Sequence, residues 1–299
     1  MYTLPRREFL SHSAAGAAAV LSGAAIPVLA DQDKPNKPAI RKAMVFGMLP
    51  RNMPLADRFK LARDCGFDGV EAYTMTDPKE VEATHEASVK SGLKVHSIMN
   101  QAHWSNPLSS ADRETVRTSM EGMKTSLHNA HDLGAETVLL VPAVVDAKTR
   151  YVEAYARSQR AIRELVPLAE ELGVIIAVEE VWNKFLLSPL EFARYVDEFN
   201  NPHLQAYFDV GNVVLYGYPQ DWIRTLGERI KKVHIKDFKV KEQTWQWTEL
   251  YEGAIDWPEV RRAFDEVGYD GWFTAELNGG DGEYLREVAK RMDRIIAGG

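Results

Sequence analysis

Eight short apolar runs recur along the chain, each followed by room for a helix, and this period restricts the fold more than any other feature. They are AMVFGM (43–48), GVEAY (69–73), KVHSIM (94–99), TVLLVP (137–142), VIIAVE (174–179), LQAYFD (204–209), KVHIKD (232–237) and WFTAEL (272–277). Parallel strands cannot be joined by tight turns and need a crossover, usually a helix, between them. Eight such strand–helix units are the number at which a parallel sheet closes on itself, so the expected fold is α/β, a single (β/α)8 barrel over residues 43–299. Gly66, Gly92, Gly134, Gly173 and Gly268 each end a helix-period stretch just before a strand, where a left-handed residue stops a helix. The connections into the strands are therefore short. Those leaving them are long at 100–110, 180–188 and 238–255, and long loops on one face of a barrel bind or cover ligands. Asp256, with Glu259 three residues on, reads as the N-cap of the last full barrel helix.

The first 30 residues are patterned differently. Arg6-Arg7-Glu8-Phe9-Leu10 precedes an Ala-rich apolar run over 14–29, and Val28-Leu29-Ala30 supplies a small-residue cleavage site before Asp31. The run is short and rich in small residues, so 1–30 is expected to be a twin-arginine signal peptide and not a stable membrane span. The export machinery becomes an expected partner and the periplasm, or another exported location, the expected destination. Residues 31–42 (DQDKPNKPAIRK) read as a polar, proline-bearing linker. Removing 1–30 takes the formal charge from 36 − 43 = −7 to 34 − 42 = −8. An acidic chain of this kind is a poor match for a nucleic-acid backbone. With Cys65 as the one cysteine, no intramolecular disulfide can form, and its place in LARDCGFDG suits a small buried thiol. No coiled-coil heptads or extra interface element appear in the sequence.

Four of the apolar runs end in a metal-binding side chain: Glu179, Asp209, His234 and Glu276. Three carboxylates and an imidazole make a suitable shell for a divalent cation, and they fall where a barrel builds its active site. Pleat alternation places His234 between Val233 and Ile235, and sends Lys236 to the same face as His234. Lys236 and Asp237 read as a local ion pair, and His85, His128 and His131 as solvated side chains on polar helices.

With these residues the chain resembles the xylose-isomerase-like barrel superfamily of sugar isomerases and epimerases. Within it, YFDVGN, VHIKD, EGAIDW and the terminal AEL look most like L-xylulose-5-phosphate 3-epimerases and related ketose 3-epimerases, over roughly 45–296. The resemblance implies that Glu179, Asp209, His234 and Glu276 ligate the metal, Mn²⁺ first with Mg²⁺, Co²⁺ or Zn²⁺ as alternatives. It also implies that Glu179 and Glu276 act as the proton-transfer pair. A cation held against a ketone and its neighbouring hydroxyl stabilises the enediolate left by deprotonation, and a second carboxylate on the other face can reprotonate it with inversion. Expected sugar contacts are His103 and Trp104 in QAHWSNP, Asn212, Trp182, Glu71 and His96, with Trp245 and Trp247 beside them.

The resemblance fails at two points. After His103 the chain reads Trp104-Ser105-Asn106, where the phosphate-sugar relatives carry paired arginines, and EEVWNKF lacks the extra glutamate of some free-ketose epimerases. A phosphate requires close cations or backbone amides, so the expected substrate is a non-phosphorylated ketose or keto-sugar. Alternatives sharing the metal and base are a lyase or dehydratase on a keto-glycoside or keto-inositol; a catalytically silent exported sugar-binding protein is a third. A related DNA-repair barrel uses more histidines and a basic face, against eight His and an acidic balance here. Deleting Arg6 and Arg7 is expected to leave the protein in the cytoplasm on fractionation and immunoblotting, and undiminished export would refute the signal.

Overall fold

The computed structural model describes residues 40–241 and 244–299; the expected signal peptide at 1–30, and the linker up to residue 39, lie outside them. The strands are β1 (Arg41–Val45), β2 (Gly69–Tyr73), β3 (Lys94–Met99), β4 (Thr137–Leu140), β5 (Ile175–Glu179), β6 (Leu204–Asp209), β7 (Ile230–Ile235), β8 (Asp237–Lys241), β9 (Thr244–Thr248) and β10 (Trp272–Ala275). Eight of them form a closed barrel in the order β1-β10-β7-β6-β5-β4-β3-β2, every pairing parallel. The barrel closes through β1 and β10, with Met44 opposite Ala275.

The helices are α1 (Leu55–Asp64), α2 (Pro78–Ser91), α3 (Arg113–Leu133), α4 (Tyr151–Leu172), α5 (Pro189–Asp197), α6 (Pro219–Leu226), α7 (Trp257–Glu266) and α8 (Gly282–Ala297). Local chemistry sets several of their ends. Asp77, Asp112, Ser188, Asp256 and Asp281 each accept a hydrogen bond from a first-turn amide. The five glycines expected to stop helices all have positive φ, from 66° at Gly173 to 98° at Gly66. No helix among the described residues is long and apolar enough to cross a membrane.

Strand bounds differ from expectation by one to three residues at several places. β1 starts at Arg41 and gives way to a 3₁₀ turn at Phe46–Met48, and β7 begins two residues earlier than expected. The connection over 238–255 is not irregular throughout: β8 and β9 pair antiparallel, Phe238 opposite Trp247, as a hairpin standing on the barrel mouth. The polar–apolar alternation of Thr244-Trp245-Gln246-Trp247-Thr248 carries the strand signal.

Alternation within the barrel strands separates two regions. Val138, Leu140, Ile176, Val178, Ala206, Phe208, Val233 and Phe273 pack into the large core shared with the helices. Leu139, Ala177 and Tyr207 instead form a small cluster with Val141 and Val181 on the other face. Pleating therefore turns Glu179, Asp209, Thr274 and His234 inward with that small cluster. Lys232 shares this inner parity near the N-terminal end, fully buried, with Nζ 5.5 Å from the Trp272 ring and 3.2 Å from Glu136 Oε2. Burial pushes the Lys232 ammonium down to about 8, with Glu136 opposing.

Folding with a lysine titrating near 8 where the free side chain titrates at 10.5 means that the unfolded chain binds more protons between those values. Stability from this group therefore rises with pH across that window. The stability of Lys232→Met relative to wild type is accordingly expected to be highest at pH 7 and to shrink between pH 8 and 10.5. Urea denaturation at pH 7 and 9.5 checks this, and a difference independent of pH would refute it.

Candidate metal centre

Glu179 and Asp209 close strands β5 and β6, His234 is the penultimate residue of β7, and Glu276 follows β10 by one residue, its N–H donating to Ile235 O at 3.1 Å. One ligand atom from each of the four lies within 4.8 Å of every other. His234 Nδ1 is 2.7 Å from Glu179 Oε1, 3.5 Å from Glu276 Oε2 and 3.7 Å from Asp209 Oδ2. The other ring nitrogen, Nε2, faces away from this group and meets Glu71 Oε1 at 3.0 Å. His234 and Glu71 are wholly buried, and the Tyr207 ring lies 4.5 Å from the imidazole.

Lys236 takes a part in the site that the sequence did not indicate. Its Nζ lies 2.8 Å from Asp209 Oδ2 and 2.6 Å from Glu276 Oε2, so it is not the partner of Asp237. Asp237 instead accepts from Phe238 N, Tyr251 N and Trp257 Nε1, fixing the root of the hairpin. Ideal Cβ placement at Gly253 would fall 1.9 Å from Asp237 Oδ1, so only glycine permits this close approach.

Glu180, absent from the expected site, is buried behind it. Its Oε1 accepts from Asp209 N at 2.9 Å, and its backbone carbonyl accepts from Asn212 Nδ2 at 2.8 Å. The amides of Gly211 and Asn212 both donate to Asp209 Oδ1. Asp209 is thereby held through one oxygen. Its other oxygen, Oδ2, is buried and faces the Lys236 ammonium at 2.8 Å. The second glutamate of IIAVEE was a readable signal for Glu180, but it does not reveal the direction of the side chain.

The charges are strongly coupled to burial. Burial pushes the Glu179 carboxyl up to about 7, against the pull of His234. Burial acts the same way on Glu276, but Lys236 and His234 outweigh it and hold that carboxyl down at about 2. Burial also raises Asp209, with Lys236 opposing, and raises Glu180 well above the carboxylate range, aided by Asp209 and Glu179. For His234 burial opposes the cation, yet Glu276, Glu71 and Glu179 prevail and raise it well above its ordinary value. Three converging carboxylates and an imidazole nitrogen turned toward them, all within 4.8 Å of one another, fit a divalent cation.

The expected sugar contacts divide. Trp104 and Trp182 are exposed on the loops after β3 and β5. His103 is buried beside Trp104 and accepts from Val141 N through Nδ1; burial lowers its pKa to about 4, so at neutral pH it is uncharged. Asn212 has its side-chain amide engaged by Glu180 and its carbonyl by Trp182 Nε1 at 3.0 Å. Glu71 lies beyond the imidazole from the ligand carboxylates. His96 is stacked on Trp272 at 4.5 Å, and Thr274 Oγ1 is its polar neighbour at 3.2 Å. These last two belong to the buried barrel interior. His85, His128 and His131 are exposed on helices, and Cys65 is buried, as expected.

A family profile described as xylose isomerase-like TIM barrel matches residues 59–295. The chain belongs to this family. An L-ribulose-5-phosphate 3-epimerase of Escherichia coli is 26% identical over 274 residues, covering 86% of this chain and 96% of its own. A solved L-ribulose 3-epimerase superposes with a TM-score of 0.71 at 20% identity, over 86% of this chain and 94% of that one. The IolI protein with a bound zinc atom superposes with a TM-score of 0.74 at 19% identity, over 86% and 98%. At these identities the solved structures establish likeness of fold. The curated relative is a sugar epimerase, which is an isomerase.

Carboxylates that bond the far nitrogen of a metal-bound histidine fix its tautomer and raise its donor strength. Glu71 is placed to do this for His234, leaving Nδ1 for the metal. Glu71→Gln is expected to weaken divalent-cation binding about 10- to 100-fold by calorimetric titration. Unchanged affinity in a folded variant would remove that role.

Proposed function

We propose that the protein is a divalent-metal-dependent sugar epimerase or isomerase, with Mn²⁺ as the metal, acting next to the carbonyl of a non-phosphorylated ketose or keto-sugar. The observation that carries this reading is the convergence of Glu179 and Glu276 on one imidazole from strands separated by two others, β6 and β7. Glu179, Asp209, His234 and Glu276 would hold the ion. When bound, it supplies Lewis acidity toward a ketone oxygen and the adjacent hydroxyl.

The two glutamates would handle the proton. One carboxylate removes it from carbon and becomes the acid; the other, protonated, delivers a proton to the opposite face, so the centre inverts and the pair exchange roles. Lys236, hydrogen-bonded to Glu276, fixes the approach of that carboxylate. The Glu180 side chain and the Asn212 amide hold Asp209 from behind.

Three observations support an unphosphorylated substrate. His103 is neutral at physiological pH, and Trp104-Ser105-Asn106 follows it without a basic residue. The helix after the last barrel strand, a common phosphate site in barrels, has its first amides taken by the Asp281 carboxylate. The groove beside it, over residues 47–53 and 279–282, carries Arg51 as its one basic residue. Export through the twin-arginine machinery belongs to the same proposal, since an exported enzyme meets free sugars more readily than sugar phosphates.

The test is solvent deuterium uptake, by NMR and mass spectrometry, over free ketoses, keto-glycosides and their phosphates. Metal-dependent exchange at a carbon next to the carbonyl is expected for an unphosphorylated member, and elimination would appear as loss of a substituent. Glu276→Gln is expected to remove exchange by a factor of at least about 10² while the fold is retained, because an amide cannot accept the proton. Full turnover in that variant would end the reading.

A further inference from the structure

Two oxygens of the metal centre are bonded by a cation that belongs to the chain itself. Asp209 Oδ1 accepts from the amides of Gly211 and Asn212, which leaves Oδ2 as the atom that Asp209 can offer to an ion. Asp209 Oδ2 lies 3.7 Å from His234 Nδ1 and Glu276 Oε2 lies 3.5 Å from it, so both oxygens face the centre. The Lys236 ammonium stands against the same pair, 2.8 Å from Asp209 Oδ2 and 2.6 Å from Glu276 Oε2. A carboxylate oxygen that bonds an ammonium has less charge to give a second cation, and two positive centres on shared oxygens repel each other strongly out of water.

The hairpin helps to fix where that ammonium stands. Lys236 passes Gly211, where a Cβ would come within 2.6 Å of the lysine Cγ and 3.2 Å of the Trp247 ring. On the other side, Lys236 Nζ lies 4.7 Å from the centre of the Trp247 indole, a contact that attracts a cation to the ring face. Trp247 is in turn backed by Trp182, stacked at 4.8 Å, and by the buried Phe238 at 4.9 Å. Lys236 also borders a cavity of about 450 Å³ lined by Gln246, Thr248, Glu249 and Asn278. Its side chain therefore has space to move into once the ring is removed.

We infer that Lys236 is a built-in competitor of the divalent ion, which keeps Asp209 and Glu276 together while limiting how tightly the ion is held, and that Trp247 is the positioning residue that keeps the ammonium on those oxygens. The inference rests on the four-residue metal site of the proposed function, and adds what sets its affinity. The sign of the effect separates competition from simple bracing. Were Lys236 only a brace for the ligands, its loss would weaken ion binding; as a competitor, its loss strengthens it.

The probe is Mn²⁺, titrated calorimetrically into chelator-stripped protein. Lys236→Met keeps the length of the side chain and removes its charge, and is expected to bind Mn²⁺ at least about tenfold tighter than the wild type. Trp247→Ala is expected to tighten binding by a smaller factor, about threefold, and Trp247→Phe to stay near the wild type because a phenyl ring retains the cation contact. In the Lys236→Met background Trp247→Ala is expected to change nothing, since its effect passes through the ammonium. If Lys236→Met unfolds on stripping, protein purified with Mn²⁺ gives the same reading through the rate of ion loss to excess EDTA, expected to be about tenfold slower than in the wild type. Equal or weaker binding in Lys236→Met, or equal or faster loss, would overturn the competition. A Trp247→Ala effect that persists undiminished in the Lys236→Met background would overturn the positioning role. The two proposals fail distinguishably: a wild type that binds none of Mn²⁺, Co²⁺ or Zn²⁺ removes the metal centre itself, whereas binding indifferent to Lys236 removes this inference alone.

Discussion

Like charges crowded out of water impose the governing constraint on this molecule. Glu71, Glu179, Glu180, Asp209 and Glu276 gather around one imidazole and one ammonium at the end of the barrel. Carboxylates that share a small buried space cannot all ionise unless cations lie among them. His234 and Lys236 are those cations in the protein itself, two residues apart on a single chain segment. The distances follow from this: each sits within 2.6–3.7 Å of at least two carboxylate oxygens. A divalent ion adds a further positive charge to the same balance, so ligand geometry and charge compensation are one problem here.

The barrel makes such crowding affordable to build. Inward-facing positions on β5, β6, β7 and β10 reach a common axis from separate strands, so no pair of ligands has to be forced together by a loop. The large core between strands and helices is almost wholly apolar and fixes the strand ends independently of what the inner face carries. Polar side chains then line the interior from Glu71 and Thr274 down to His96 and Lys232, in place of the bulky aliphatic layers that usually fill a barrel.

Most of this architecture was legible because it rests on short-range rules. Strand length, glycine stops and the parity of Glu179, Asp209, His234 and Glu276 follow from local periodicity, and all four came together in space. What was not legible depends on the direction of single side chains. Glu71 and His96 lie on strands as expected, but their rings and carboxyls meet other buried groups. Lys236 reaches back to Asp209 and Glu276 because Asp237 is already engaged by the Tyr251 amide and the Trp257 indole, contacts 14 and 20 residues away. Glu180 follows Glu179 directly in the sequence, but its carboxylate meets the backbone of the adjacent strand. The hairpin was hidden inside a long connection although its alternation was present in the sequence.

Asp237 anchors the root of that hairpin with side-chain hydrogen bonds to Phe238, Tyr251 and Trp257 that involve none of the Gln246, Trp247 or Thr248 side chains, while its backbone pairs with Thr248. The side chains of Gln246 and Thr248 can thus vary while the root, and Lys236 next to it, keep their positions. Such a division gives the fold an evolutionary degree of freedom. Substitutions at Gln246 and Thr248 can alter which molecules are accepted while the charges that act on them stay in place; Trp247, whose ring lies 4.7 Å from Lys236 Nζ, is the position on β9 tied to those charges.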